Sequence, residues 1–214
     1  MPHLDLLFTV LGETVPIEQA YSLYAGLSRA LPTIHSARDI GIFPICGTPG
    51  GNGTLLLSRR SVLRMRIPEE RIRDLLPLSG KALEIDGHKI RLGVPRVQAL
   101  VPAATLKADM VLIKIAHASG HSITPELFLA AVRRKLNELG VHGEPAIPLT
   151  RGGPHAGQPR RKVLRIKDQT HVGYALIVSG LSASESILLQ EQGIGGRRLM
   201  GAGLFVAARG ANDL

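Results

Sequence analysis

Ser182-Ala183-Ser184-Glu185-Ser186-Ile187-Leu188-Leu189-Gln190-Glu191-Gln192-Gly193-Ile194-Gly195-Gly196-Arg197-Arg198-Leu199-Met200-Gly201-Ala202-Gly203-Leu204-Phe205-Val206 reads as a helix, a glycine loop and an apolar strand in one run. Ser182 and Glu185 have capping-box spacing, which predicts a helix over 182–192. Two Gly-apolar-Gly units, Gly193-Ile194-Gly195 and Gly201-Ala202-Gly203, bracket five residues that include Gly196, Arg197 and Arg198. Glycines at that density permit positive φ and close approach to the backbone, and the arginines supply charge. The loop suits a negative ligand; the same glycines also suit a tight turn into an edge strand. A dinucleotide fingerprint is excluded, because Arg198 stands at its third glycine and a strand follows. A phosphate-cradling P-loop is excluded too, because Ala202-Gly203 follow Gly201 where Lys-Ser/Thr is required.

Working outward, the helix-to-strand run closes a longer pattern that occurs twice. Residues 3–10 alternate as a strand, and Pro16 opens a helix that Pro32 ends. Strands follow at 40–45, 54–57 and 61–67, around a flexible glycine loop at 47–53. Pro68 opens a helix through Leu76, and a hairpin pairs 81–85 with 89–94 around Asp86-Gly87. The order β-α-β-β-α-β describes a ferredoxin-like unit. A second copy runs through a strand at 106–116, a helix at 125–139, strands at 162–166 and 172–178, then the opening run. The expected organisation is an α+β chain of two tandem ferredoxin-like domains, 1–94 and 106–214, joined by a linker at 95–105.

The chain of 214 residues is 44% hydrophobic and 20% charged, which argues for a folded protein. Its 26 Lys and Arg against 17 acids give a net charge of +9, favouring a polyanionic partner such as RNA, DNA or an anionic surface. No run of eighteen apolar residues exists, and the N-terminal stretch reads as a strand rather than a signal peptide, so no membrane role and a cytoplasmic location are expected. Cys46 is the only cysteine, which excludes an internal disulfide and a cysteine-based zinc site. No cofactor or metal is expected. Tryptophan is absent and aromatics total 3%. Single-strand binders use aromatic stacking platforms, so any RNA partner is expected to be held through phosphates and shape, as in a hairpin stem.

Residues 143–161, rich in Gly, Pro and Arg, predict no regular structure and lead into Arg160-Arg161-Lys162-Val163-Leu164-Arg165-Ile166-Lys167. Period two places Leu164 and Ile166 inward, Arg165 and Lys167 outward. A solvated charged face would explain such a stripe; a basic loop that feeds a basic strand face, in a chain with its own Gly-Arg loop, points instead to a phosphate-tracking surface.

The two Gly-apolar-Gly units at the end of a duplicated ferredoxin-like chain resemble the glycine-rich loop of the RAMP superfamily of CRISPR-associated proteins. The chain is similar, more closely, to the endoribonucleases that cut CRISPR precursor transcripts into guide RNAs. The residues that carry this are Tyr21-Ser22-Leu23-Tyr24, Leu27-Ser28-Arg29, Leu31-Pro32, Ile34-His35, Gly41-Ile42, Gly180-Leu181-Ser182 and Leu189-Gln190-Glu191, besides the loop.

The resemblance implies metal-independent cleavage of a repeat hairpin, in which the ribose 2′-hydroxyl attacks its own phosphate. Such a reaction needs a base, an acid and positive charge near the phosphorane, and histidine titrates in the right range for the proton work. His35 falls on the family's motif as general acid/base, with Tyr21 on the first helix and Arg38 in the place of a lysine. Arginine stabilises charge but does not give up a proton readily, so Tyr21 or a water would protonate the leaving oxygen. Tyr24 and Ser28 are spare candidates. RNA contacts are expected from Gly193, Gly195, Gly196, Arg197, Arg198, Gly201 and Gly203, and from Arg160, Arg161, Lys162, Arg165 and Lys167. His117 and His121 have a helical ligand spacing interrupted by Ser119-Gly120; His88 and His155 read as solvated. The alternative is a non-catalytic RAMP subunit that binds guide RNA beside other subunits of a CRISPR effector complex.

Overall fold

The computed structural model describes residues 2–116 and 122–208, which form an α+β fold. Two compact units divide the chain: Met1–Leu100 with Arg198–Gly201, and Val101–Arg197 with Ala202–Leu214. No helix among the described residues is long and apolar enough to cross a membrane.

In the first unit, β1 (His3–Gly12) sends Leu4, Leu6, Phe8 and Val10 into the core, as its alternation predicts. Pro16 does not open a helix; it ends β2 (Thr14–Pro16), and α1 (Ala20–Ala30) starts later. The cause is the buried amide of Gln19. Its Nε2 donates to the carbonyls of Pro16 (3.1 Å) and Ile45 (3.0 Å), and its Oε1 accepts from Ile45 N (3.0 Å). That pairing ties the residue before α1 to the chain at Ile45, and Leu23 and Leu27 are buried on the helix beyond it.

β3 (Gly41–Ile42) is shorter than the expected strand, and the glycine loop at 47–53 is not unstructured. It forms β4 (Thr48–Gly51), which pairs with β5 (Thr54–Leu56) in a small sheet of order β2-β5-β4. β6 (Val62–Pro68) follows, then a broken helical stretch in which only α2 (Ile72–Leu75) is α-helical; Pro77, lacking an N–H, confines the rest to a 3₁₀ turn. β7 (Ala82–Ile85) and β8 (His88–Ala99) form the expected hairpin, and the main sheet has the order β3-β6-β1-β8-β7. The linker expected from residue 95 begins later, because Pro95 to Ala99 remain in β8 opposite Phe8 to Leu4.

The other face of this sheet carries a buried ion pair. Arg66 donates from Nε to Asp5 Oδ1 at 2.9 Å and from Nη2 to Oδ2 at 3.1 Å, and Arg64 lies 3.8 Å from the same carboxylate. The Phe43 ring sits 5.4 Å and 5.1 Å from the Arg64 and Arg66 guanidinium groups.

In the second unit, β9 (Leu106–Val111) stops short of the expected residue 116. The glycine loop bonds the end of this segment: Gly203 N donates to Met110 O within β9 at 2.8 Å, and Gly196 N to Leu112 O just past it at 3.0 Å. α3 (Pro125–Leu139) is capped by Thr124 Oγ1, which accepts from Leu127 N at 3.4 Å, and ends on Gly140 at φ 73°. Regular structure does enter 143–161, as β10 (Glu144–Ala146) and an isolated bridge between Leu149 and Pro159. β11 (Arg161–Ile166) and β12 (Gln169–Ser179) form a hairpin, α4 (Ala183–Gln192) has the predicted capping box, and β13 (Val206–Ala207) is the last strand.

The sheet order is β10-β12-β9-β13, with β11 on the remaining length of β12. The strand on the outer side of β12 in the main path is therefore β10, whose three residues are too few for a period-two reading. Leu204 and Phe205, expected in the last strand, precede β13 and are buried, Phe205 in the same core as Phe128, Val132, Leu136 and Leu176. Tyr174 tilts on Phe128 with ring centroids 5.0 Å apart and donates its hydroxyl to Ile123 O at 2.8 Å, which satisfies the phenol inside the core.

Candidate functional site

Pro32 ends α1 and opens a 3₁₀ turn, Pro32–Ser36. Ile34 is fully buried and anchors that turn, which leaves His35 exposed. The His35 ring stacks on Tyr24, with centroids 6.0 Å apart and planes at 25°, and the Tyr24 hydroxyl lies 2.8 Å from Nδ1. Two proton arrangements fit that contact. When Nδ1–H donates to the phenol oxygen, Nε2 is bare and can accept a proton. When the phenol donates to Nδ1, Nε2 carries a proton it can deliver.

Tyr21, the expected partner, is half-buried one turn earlier on α1. The structure gives His35 the neighbouring tyrosine. Ser28 Oγ, one turn beyond Tyr24, is buried and has no hydrogen-bond partner among the described residues. Arg38 is exposed three residues after His35. Elsewhere His88 Nδ1 meets Thr14 Oγ1 at 2.8 Å and His155 Nδ1 meets Gln158 Oε1 at 3.3 Å. His117 and His121 lie outside the described residues.

The glycine loop divides into shape and surface. Gly193, Gly195, Gly201 and Gly203 have φ between 63° and 83°. A Cβ on Gly195 would lie 2.1 Å from Leu112 O, and one on Gly203 would lie 2.2 Å from Ile194 O, so both positions admit only glycine. Gly193 and Gly203 are buried and Gly201 half-buried; the exposed part is Gly195, Gly196 and Arg197.

Arg197 and Arg198 are not an equivalent pair. Arg197 is exposed at φ 67°. Arg198 belongs to the first unit, where its 3₁₀ turn (Arg198–Met200) packs against α1 and β3, and Leu199 joins the core. Burial, and then neighbouring Arg66, push the Arg198 guanidinium down to about 10, with Asp39 acting in the opposite direction. It remains charged at neutral pH.

On the β11–β12 hairpin, two of the expected cations are engaged by one acid. Lys162 Nζ lies 3.0 Å and Arg160 Nη2 3.3 Å from the Asp109 carboxylate. Arg161 and Arg165 are exposed on the opposite strand face, while Leu164 is buried. Lys167 is not a strand residue; it occupies the hairpin turn at φ 51°.

The family model described as Cas6 Crispr matches residues 4–210. A CRISPR-associated endonuclease Cas6 from Myxococcus xanthus (strain DK1622) is 40% identical over 206 residues, covering 96% of this chain and 82% of the relative. The chain belongs to the Cas6 family. Solved structures agree in fold. A CRISPR associated protein Cas6 superposes with a TM-score of 0.67 at 12% identity, covering 97% of this chain and all of the other. The product of a Cas6-related gene from Pyrococcus furiosus gives 0.66 at 14% identity, over 95% and 98% of the two chains.

For this Cas6 chain, sequence reasoning missed two features of the site. Tyr24 was visible as a spare, but its contact with His35 depends on how the turn after Pro32 folds back. The separation of Arg197 from Arg198 had a weak signal: Leu199 and Met200, apolar and adjacent, mark the point at which the loop returns to a core.

Proposed function

We propose that this Cas6 chain is an endoribonuclease that cuts repeat hairpins in CRISPR precursor transcripts, and that both units are ferredoxin-like βαββαβ domains meeting near residue 100. The fold reading is supported by the strand orders. In each main sheet the unit's first strand (β1, β9) lies between two neighbours, β6 and β8 in one and β12 and β13 in the other, and a short strand, β3 or β10, flanks it beyond β6 or β12. The activity reading is supported above all by the exposed His35 ring held by Tyr24 at 2.8 Å.

The reaction needs no resident metal in this proposal. His35 Nε2, bare while Nδ1–H donates to Tyr24, removes the proton from a ribose 2′-hydroxyl. The 2′ oxygen bonds to the adjacent phosphorus, the bond from phosphorus to the 5′ oxygen breaks, and that oxygen takes a proton from Tyr21 or a water. The products are a 2′,3′-cyclic phosphate and a 5′-hydroxyl. Arg38 offsets charge on the phosphorane without supplying a proton. Arg197, Arg161 and Arg165 hold phosphates of the stem.

The test is cleavage of a repeat transcript in excess chelator, with and without a 2′-deoxy substitution at the cut. Cutting is expected to persist in chelator and to vanish with the deoxy sugar while binding is retained. His35→Ala is expected to lower the single-turnover rate by about 10²–10⁴-fold at unchanged affinity. Tyr24→Phe, which removes one orienting hydrogen bond, is expected to cost roughly 5–10-fold. Tight binding without any cutting by the native chain would instead favour a subunit that only holds guide RNA.

A further inference from the structure

A cleft of about 640 Å³ opens within the second unit between the C-terminal half of α3, the segment that follows β9 and the start of the glycine loop. Its apolar floor includes Leu112, Leu139 and Ile194, and its rim carries Lys114, Arg134 and Lys135 with one acid, Glu138. Glu138 is already clamped: Lys135 Nζ bonds its Oε2, and Arg134 Nε lies 3.7 Å from Oε1. Lys135 holds the Glu138 carboxyl below its ordinary range, so it is ionised at neutral pH.

The rim thus pairs three cations with one carboxylate, an excess positive charge beside the most open glycine of the loop. A Cβ built on Gly196 meets no atom within 4 Å, so a ligand can approach the backbone there. Arg134, Lys135 and Glu138 side chains are 64%, 42% and 50% exposed. Ion pairs that exposed are weak, so an incoming anion can displace Glu138 at small cost.

We propose that this cleft seats a phosphodiester group of the bound RNA, with Lys114, Arg134 and Lys135 as its cations and Glu138 as the carboxylate that the phosphate displaces. The inference rests on the RNA-cutting reading above and adds a binding site to it, remote in sequence from His35. A phosphodiester fits better than a small apolar ligand because the polar groups ring an open mouth rather than a closed pocket. Glu138 becomes an internal competitor that weakens binding of any RNA unable to fill the cleft.

The experiment measures affinity of the full chain for a labelled repeat hairpin across a salt series, beside single-turnover cleavage at saturating protein. Arg134→Ala with Lys135→Ala is expected to weaken binding about tenfold near 0.1 M salt and to lower the salt slope by roughly 1–2. Cleavage at saturation stays within twofold of native. Glu138→Gln is expected to tighten binding, since it removes the competitor and keeps the shape. Arg133→Ala removes one charge from α3, against two in the double variant, but lies off the cleft, and is expected to leave affinity within twofold. Equal losses from Arg133→Ala and the double variant, or weaker binding by Glu138→Gln, would overturn the proposal. An RNA that the native chain binds without cutting would sink the nuclease reading and leave these affinity outcomes to stand or fall alone.

Discussion

Asp5 and Asp109 hold matching places in the two units and live under opposite rules. Each lies on its unit's first strand, β1 or β9, and each faces two cations from a neighbouring segment. Asp5 is 4% exposed and doubly bonded by Arg66; Asp109 is 67% exposed and shared by Arg160 and Lys162. In the first case water has been removed, so losing either partner leaves a buried charge short of its main counter-ion. In the second, water screens the attraction, and the cations can exchange the carboxylate for another anion. One arrangement of charges serves cohesion in one unit and is available for binding in the other.

The largest effect that can break this contrast comes from Asp5. Asp5→Ala is expected to destabilise the chain by about 3–5 kcal/mol, because Arg66 would remain buried without its carboxylate. Asp109→Ala is expected to move stability by no more than about 1 kcal/mol and to tighten RNA binding, since Arg160 and Lys162 lose a competing anion. Denaturant unfolding of the two variants beside hairpin affinity checks both halves. Comparable stability losses would show that exposure does not separate the two sites.

The arginine pair sharpens the same contrast at a smaller scale. Arg198→Ala is expected to cost about 1–3 kcal/mol through lost packing. Arg198→Met keeps the stem and removes a charge that burial and Arg66 already disfavour, so its stability is expected to stay near native. Arg197→Met is expected to leave unfolding unchanged and to lower the salt slope of RNA binding by roughly 0.7–0.9, the value of one phosphate contact. A slope change from Arg198→Met equal to that from Arg197→Met would return both arginines to the RNA.

What the sequence made legible follows range. The alternation of Leu4, Leu6, Phe8 and Val10 and the capping box of Ser182 with Glu185 are local, and both appear as expected. The start of α1 is set by Gln19 binding Ile45, 26 residues away, and no helix-start rule contains that information. β4 and β10 are short and carry Pro and Gly or Glu, so they form because a partner strand is present rather than through their own propensity. At the candidate site, the family resemblance singled out His35 and the sequence could show no more, whereas its contact with Tyr24 and the inward turn of Arg198 depend on tertiary neighbours. A sequence shows which charges exist; it does not show which of them water still reaches.

Glu185 is a third case, an acid near the surface that is nonetheless firmly held. It accepts from Ser182 Oγ (2.7 Å), Ser182 N (2.9 Å) and His142 N (2.8 Å), with His142 Nδ1 at 3.0 Å. These bonds, the Ser182 hydroxyl foremost, pull its carboxyl from 4.5 to about 2. Because the folded value lies below the unfolded one, the contribution to stability is complete above about 4.5 and is lost as pH falls toward 2. Glu185→Gln is expected to lower the melting temperature slightly at neutral pH, since the cap keeps an acceptor but loses its charge. It is also expected to flatten the loss of stability in that acid window and to leave RNA affinity unchanged. Melting curves of native and variant chains that run parallel through the window would assign the acid sensitivity to other groups.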